Sequence, residues 1–269
     1  MKSYIKTVRK EFWKFFLKIR SKFVPDNGRS ISNLYLLTMQ KSGSQWIKQV
    51  LNDRYILKKS GLKLYPQHRY EWTEFHHKFP KGTFVPGLYM SYDLYEEIEK
   101  PSQYKTICVV RDPRDIVVSW YFSMLKTHGL MGKVYKYRKA LKKITIDEGL
   151  HYCIDELALK FSAMRTWFNN TNDPNMLIVK FEDLVQYPTT TFSKVFEFCN
   201  IEITKGELES VLSRYTKEKM RENDLKRRTD KSDSHYRVKR SKHSDYFTEE
   251  HYNHFYKVTG NLTDVMGYE

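Results

Sequence analysis

The sequence predicts an α/β fold, three layers deep, with a central parallel sheet. Three observations predict it. Residues 34–46 and 107–119 each open as a short apolar run, stop at small, basic and hydroxyl residues, and continue as an amphipathic stretch. That is strand, anion-binding turn and helix, written twice. A third apolar run, at 176–181, follows a long stretch of helical periodicity, where Ile154, Leu157, Phe161 and Met164 share one face of residues 144–169. Runs that are apolar throughout, rather than alternating, suit strands buried on both faces of a parallel sheet. At 269 residues the chain has room for one such domain, which would bury roughly three-quarters of its unfolded surface.

The first segment lies outside that pattern. Ile5, Val8, Phe12, Phe15, Ile19 and Phe23 recur every three to four residues among lysines and arginines, and Pro25-Asp-Asn-Gly28 ends the run. This spacing predicts a basic amphipathic helix. It carries too many charges to span a bilayer and lacks the apolar core and cleavage site of a signal peptide. Two homes suit its aromatic face: an anionic membrane surface, met through residues 1–23, or the body of the domain. The chain therefore divides into a helix at 1–28 and a single domain at 29–269.

Residues 34–39 are the first strand. Ser42-Gly-Ser44 is a turn whose glycine lets backbone approach a ligand closely. Trp46, Ile47, Val50 and Leu51 then recur at helical spacing, so a helix starts near Ser44. Its first N–H groups lack partners within the helix and face the turn, which makes an anion site. Lys41 adds a positive charge, and Ser42 and Ser44 add hydroxyls. The lysine precedes the glycine instead of closing the loop as Gly-Lys-Ser/Thr, which argues against an ordinary ATPase or GTPase.

Residues 105–110 are the second strand. Arg111 sits at its carboxyl end, where open α/β sheets place ligands. Asp112-Pro113 starts the next helix, continued by Ile116, Val117 and Trp120. Ser119 lies roughly 12 Å beyond Arg111 along a helix axis at ~1.5 Å per residue, so the two can share one anion only if the chain curls back. A nucleotide with phosphates at both ends of its ribose would need two such turns. Further on, 217–242 is dense in Lys, Arg, Asp and Ser with little apolar content. That composition suits a solvated loop or a lid that orders on a ligand.

The formal net charge of +15 suits a polyanionic ligand or an anionic surface. Three scattered cysteines, an odd number, fit a reducing compartment better than a disulfide framework, and Cys108 falls inside a predicted buried strand. The expected location is cytoplasmic, with a membrane surface as the second possibility. Nine histidines and three cysteines show no metal-ligand spacing, so no metal is expected.

Gln40-Lys-Ser-Gly-Ser-Gln-Trp46 resembles the 5′-phosphosulfate loop of the PAPS-dependent sulfotransferases, usually Pro-Lys-Ser-Gly-Thr-Thr-Trp. Arg111-Asp-Pro-Arg-Asp-Ile-Val-Val-Ser119 is similar to their 3′-phosphate motif, and Phe181-Glu-Asp183 to their Tyr-Glu-Asp. The likeness spans about residues 34–248. It implies a P-loop-NTPase-like nucleotide-binding core, PAPS (3′-phosphoadenosine 5′-phosphosulfate) as sulfuryl donor and PAP as product. It also implies roles. Lys41 would neutralise charge on the bridging oxygen; Ser42, Gly43, Ser44 and Gln45 would hold the 5′-phosphate; Trp46 would pack on adenine. Arg111 and Ser119 would hold the 3′-phosphate. Phe181 and Thr216 fall among the nucleotide-binding positions, with Lys217 where the family has a stacking phenylalanine. Arg237, Lys239 and Arg240 fall where the family closes on the 3′-phosphate, without its glycine.

The family's catalytic histidine position reads Tyr89 here, so the base is sought among His77, His76, Tyr89, Glu74 and Asp93, with His77 or His76 first. A histidine titrates near about 6.5 and a tyrosine near about 10, which makes the histidine the better base at neutral pH. His128, in the loop after the second motif's helix, could also reach an acceptor. The expected activity is sulfuryl transfer to a hydroxyl of a small-molecule, sugar or lipid acceptor, with no nucleic acid as partner. Two other readings stand beside it: a non-catalytic basic nucleotide- or anion-binding protein on the same fold, and a small-molecule kinase.

Overall fold

The computed structural model describes residues 2–24, 31–66, 78–129, 132–169, 172–227, 234, 236 and 242–268, and of residues 2–6 the backbone alone. Among them are five strands, β1 (Asn33–Thr38), β2 (Lys63–Leu64), β3 (Thr83–Leu88), β4 (Tyr104–Val110) and β5 (Met176–Lys180). All pair in parallel, in the order β2-β3-β1-β4-β5. The helices begin with α1 (Lys2–Ser21); α2 (Ser44–Leu51) and α3 (Arg54–Ser60) follow β1, and α4 (Tyr92–Glu96) follows β3. Helices α5 (Pro113–Phe122), α6 (Lys133–Leu141) and α7 (Ile146–Phe168) separate β4 from β5. After β5 come α8 (Phe181–Gln186), α9 (Pro188–Phe198), α10 (Lys205–Ser213), α11 (Lys217–Arg227), α12 (Glu249–Thr259) and α13 (Leu262–Val265). The chain forms two compact units, one of Met1–Val110 with Asn170–Ser213, the other of Arg111–Asn169 with Arg214–Glu269.

The first unit holds the sheet. Every residue of β1 and β3 is buried, as are the last five of β4. The predicted strands at 34–39, 105–110 and 176–181 match β1, β4 and β5 to within one residue at each end. Strand β3 carries a weaker signal, because Pro86-Gly87 interrupts it and proline removes a ladder donor. The sheet accommodates the pair at a break in register. Tyr35 pairs with Val85 and Leu37 with Leu88, so Pro86 and Gly87 together oppose Leu36. Gly87, at φ 101°, takes the backbone turn that this bulge needs. On the other side of β1 the pairing with β4 is regular up to Thr38↔Val109, and the Thr38 hydroxyl donates to the Val109 carbonyl at 3.2 Å.

The second unit is helical and centres on α7. The predicted apolar face of that helix is buried, with Leu150, Cys153 and Trp167 extending it. Its start is fixed by a reciprocal cap. Glu148 N–H donates to the Thr145 hydroxyl at 3.3 Å, and Thr145 N–H to the Glu148 carboxylate at 2.8 Å. Phe161 meets Phe255 of α12 edge-on at 5.5 Å. Cys153 here, and Cys108 and Cys199 in the first unit, are buried and form no disulfide. Burial pushes all three thiols up, Cys153 and Cys199 to about 12.

The basic run that begins at 217 is ordered where it is described. Thr216 receives the Lys219 N–H on its hydroxyl and opens α11. The Ser234 hydroxyl donates to Asp224 at 2.8 Å, and Arg221 donates to the Tyr236 carbonyl at 2.7 Å. A helix cap and two side-chain ties thus hold the described part of the run that the sequence reads as a solvated loop or a lid over 217–242; residues 228–233, 235 and 237–241 lie outside the described ones.

One position tests the α5–α7 packing. A Cβ added to Gly149 would sit 2.4 Å from the Tyr121 ring and 3.4 Å from Leu141. Gly149→Ala gains about 1 kcal/mol in helix propensity but overpacks a buried ring at a cost of about 1–3 kcal/mol. Chemical denaturation should show the variant to be no more stable than wild type, and less stable by up to about 2 kcal/mol.

Candidate functional site

The carboxyl end of β1 delivers the chain into a turn built from left-handed backbone. Lys41 has φ 74° and Gly43 φ 76°, with Ser42 between them. Alternation of this kind turns successive N–H groups toward one side, forming an anion-binding concavity. Gly43 is also the N-cap of α2 and offers no side chain to the helix start. The leading amides of α2 therefore face the same turn as its positive dipole end.

Close packing fixes this turn within the first unit. The Phe181 ring of α8 lies so near Gly43 that an added Cβ would sit 2.1 Å from it. Only glycine meets both demands, positive φ and a ring against its α-carbon. Trp46 stands edge-on to Phe192 of α9, with centroids 5.6 Å apart. Tyr89, just past β3, hydrogen-bonds the Ser44 side chain, and burial pushes its phenol above the ordinary value. At neutral pH Tyr89 holds its proton.

Three polar atoms of this loop are buried without a hydrogen-bond partner among the described residues: Gln40 Oε1, Ser42 Oγ and Trp46 Nε1. Leaving such an atom unsatisfied costs about 1–3 kcal/mol. Three of them within 40–46 mark the place where a hydrogen-bonding ligand belongs. Gln40 stood in the sequence motif without an assigned role, and its orphaned carbonyl now places it with the site.

The second unit begins with Arg111, the residue after β4. Its guanidinium reaches Asp115 at 3.2 Å, and both side chains are largely buried. Asp115 also accepts the His243 backbone N–H at 2.7 Å, with the His243 ring Nδ1 at 3.0 Å. Burial alone would raise the Asp115 carboxyl, but the His243 hydrogen bonds and the Arg111 charge hold it below its ordinary value. Asp112 caps α5 by accepting the Arg114 N–H at 2.9 Å, and its carboxylate takes the Arg114 guanidinium in a fork at 3.0 and 2.8 Å. Ser119 is buried one turn after Asp115, on the same face of α5. The Arg111 guanidinium thus reaches one turn along α5, to Asp115, and Ser119 lies one turn further on.

The profile of the sulfotransferase domain matches residues 32–267. The chain belongs to that family. It is 25% identical over 220 residues to the 3-alpha-hydroxysteroid sulfotransferase of the guinea pig, Cavia porcellus, covering 77% of this chain and 71% of that one. Among solved structures it is similar to mouse sulfotransferase SULT7A1 complexed with PAP, with a TM-score of 0.60, 18% identity, and 88% and 86% of the two chains covered. It is also similar to retinol dehydratase in complex with androsterone and inactive cofactor PAP, at TM-score 0.56 and 15% identity over 88% and 81% of the chains. The parallel α/β core read from the sequence is thus the sulfotransferase core.

Within each unit the structure gathers some of the predicted site residues. Lys41, Ser42, Gly43, Ser44, Gln45 and Trp46 form one turn and helix start, with Tyr89 and Phe181 against it. Arg111 and Ser119 belong to α5 and its approach. Thr216 caps α11. His128 is drawn into its own turn, where its Nδ1 lies 2.7 Å from the Ser123 hydroxyl. His76, His77, Arg237, Lys239 and Arg240 lie outside the described residues. The sequence reading missed Asp115 and His243. Asp115 carried a signal, four residues after Arg111; His243 carried none, being 128 residues further on.

Two variants check this geometry. Gly43→Ala sets a Cβ against Phe181 in left-handed backbone and should destabilise the fold by about 1–3 kcal/mol in urea titrations. Asp115, with a lowered folded-state pKa, adds stability that is complete above the unfolded carboxylate value and drains away as pH falls through the folded one. Asp115→Asn should therefore lose about 2 kcal/mol at neutral pH and show a flatter acid limb in its stability profile.

Proposed function

We propose that this chain transfers a sulfuryl group from PAPS to a hydroxyl of a small-molecule acceptor, and that residues 29–269 act as the catalytic domain. The observation that best supports this is the turn at 40–46. It combines a helix start, a lysine, left-handed backbone and buried polar atoms that lack partners among the described residues. These residues fit a phosphosulfate, which would accept from the Ser42 hydroxyl and from the leading amides of α2. PAPS supplies a sulfur–oxygen bond that breaks to release PAP as a new one forms to the acceptor oxygen. The PAP named with the mouse relative supports the nucleotide, and the hydroxysteroid named for the guinea-pig relative supports a hydroxyl acceptor.

The protein's part is to position groups and stabilise charge, as in phosphoryl transfer. Lys41 would neutralise charge on the bridging oxygen, Ser42 to Gln45 would hold the 5′-phosphate, and Trp46 would pack on the base. Arg111, pre-set by Asp115, binds the 3′-phosphate with Ser119. Tyr89 shares a hydrogen bond with the Ser44 hydroxyl and orients it, and burial holds the phenol proton too tightly for Tyr89 to act as base. The acceptor's proton goes to His77, with His76 as its neighbour in the same segment.

A thermal-shift titration with PAP against ATP and ADP tests this reading. PAP at a hundred times its Kd should stabilise the wild type by about 2.7 kcal/mol, and Arg111→Ala should lose that shift. Lys41→Ala should keep the PAP shift and lose about 10²–10³ in turnover of PAPS. No shift with PAP, or a larger one with ATP and magnesium, would overturn the assignment.

A further inference from the structure

Helix α1 turns its apolar face away from the unit that holds it. On the inner side Leu17 is buried, the Trp13 indole N–H donates to the Leu64 carbonyl at 3.0 Å, and Arg20 donates to the carbonyls of Gly61 and Gly82 at 3.3 and 3.4 Å. On the outer side Val8, Phe12, Phe15, Phe16 and Ile19 are 49%, 70%, 61%, 41% and 44% exposed, and Phe23 just beyond the helix is 79% exposed. At about 3.6 residues per turn those five helical residues fall in an arc of about 100°, and Leu17 lies about 150° from its centre. The aromatic periodicity seen in the sequence is therefore not a core-packing face. Three anchors hold the opposite side.

We propose that this face lies on an anionic lipid bilayer, with α1 in the plane of the interface. Charge selects the occupant. Residues 2–22 carry eight lysines and arginines and a single carboxylate, Glu11. Arg9 and Lys18 bracket the apolar arc at about 3.6 residues per turn, Lys22 follows at its end, and all three are exposed. An apolar strip between basic flanks is the pattern that buries aromatic rings at the headgroup boundary while cations meet lipid phosphates and carboxylates. A second copy of the chain would bring the same cations against each other around the apolar contact. Spanning is not available, since among the described residues no helix is long and apolar enough to cross a membrane. This inference stands on α1 alone and is independent of the proposed chemistry.

Co-sedimentation of the full chain with vesicles tests it. Wild type should bind phosphatidylcholine–phosphatidylserine vesicles at least about tenfold more tightly than phosphatidylcholine vesicles. Phe12→Ser/Phe15→Ser and Lys18→Gln/Lys22→Gln alter exposed side chains, so both should melt as wild type does. Each should weaken binding to the anionic vesicles by about tenfold. Equal binding to the two vesicle types, binding to neither, or unchanged binding in both variants would overturn the proposal. So would a dimer, seen by light scattering, that Phe12→Ser/Phe15→Ser dissolves, because it would assign the face to a second copy.

Discussion

Six residue pairs run in register between β1 and β4, from Asn33↔Tyr104 to Thr38↔Val109, and the turn that follows β1 depends on that ladder. Because the strands are parallel, β1 and β4 end at the same edge of the sheet, and β1 leaves that edge into the turn at Lys41. A slip of one residue would exchange the faces of every side chain in the strand, and both faces are buried here. The Thr38 hydroxyl adds a local lock at the last pair, where it reaches the Val109 carbonyl. The turn at 41–44 thus starts from an origin that the neighbouring strand fixes.

Beyond the ladder, each segment holds its own cost. Lys41 occupies left-handed backbone that costs a non-glycine residue about 1–2 kcal/mol. It stays there because Gly43, pinned under Phe181, leaves the turn one way to close. The second segment stores charge in place of backbone strain. Arg111 is held by Asp115, and Asp115 by the His243 amide. An anion arriving at Arg111 meets a guanidinium whose rotamer is already chosen, beside a carboxylate whose charge is partly satisfied by backbone. Preorganisation of this kind lowers the entropy lost on binding.

How much of this the chain declares in its sequence follows from range. β1, β4 and β5 were legible because strands buried on both faces read as unbroken apolar runs. β3 was not, because its bulge spends two of six positions on Pro86 and Gly87. The turn at 41–44 was legible because its chemistry is local, and so was the start of α5 at Asp112-Pro113. The partners that fix those turns were not. Phe181 against Gly43 and His243 against Asp115 are long-range contacts, and nothing in the spacing announces them. Helix α1 shows the same limit differently. Periodicity gave its apolar face, but only Leu17, Trp13 and Arg20 in place show which way that face points.

The three cysteines have a consequence outside catalysis. Each thiol is buried and held well above its ordinary pKa, so almost none of it is thiolate at neutral pH. Thiolate is the form that alkylating reagents and peroxide attack. The folded chain is therefore chemically silent toward thiol reagents, and maleimide would label the native protein only as it unfolds. A single cysteine placed on the surface would carry a fluorophore or spin label at one known position, against a blank background.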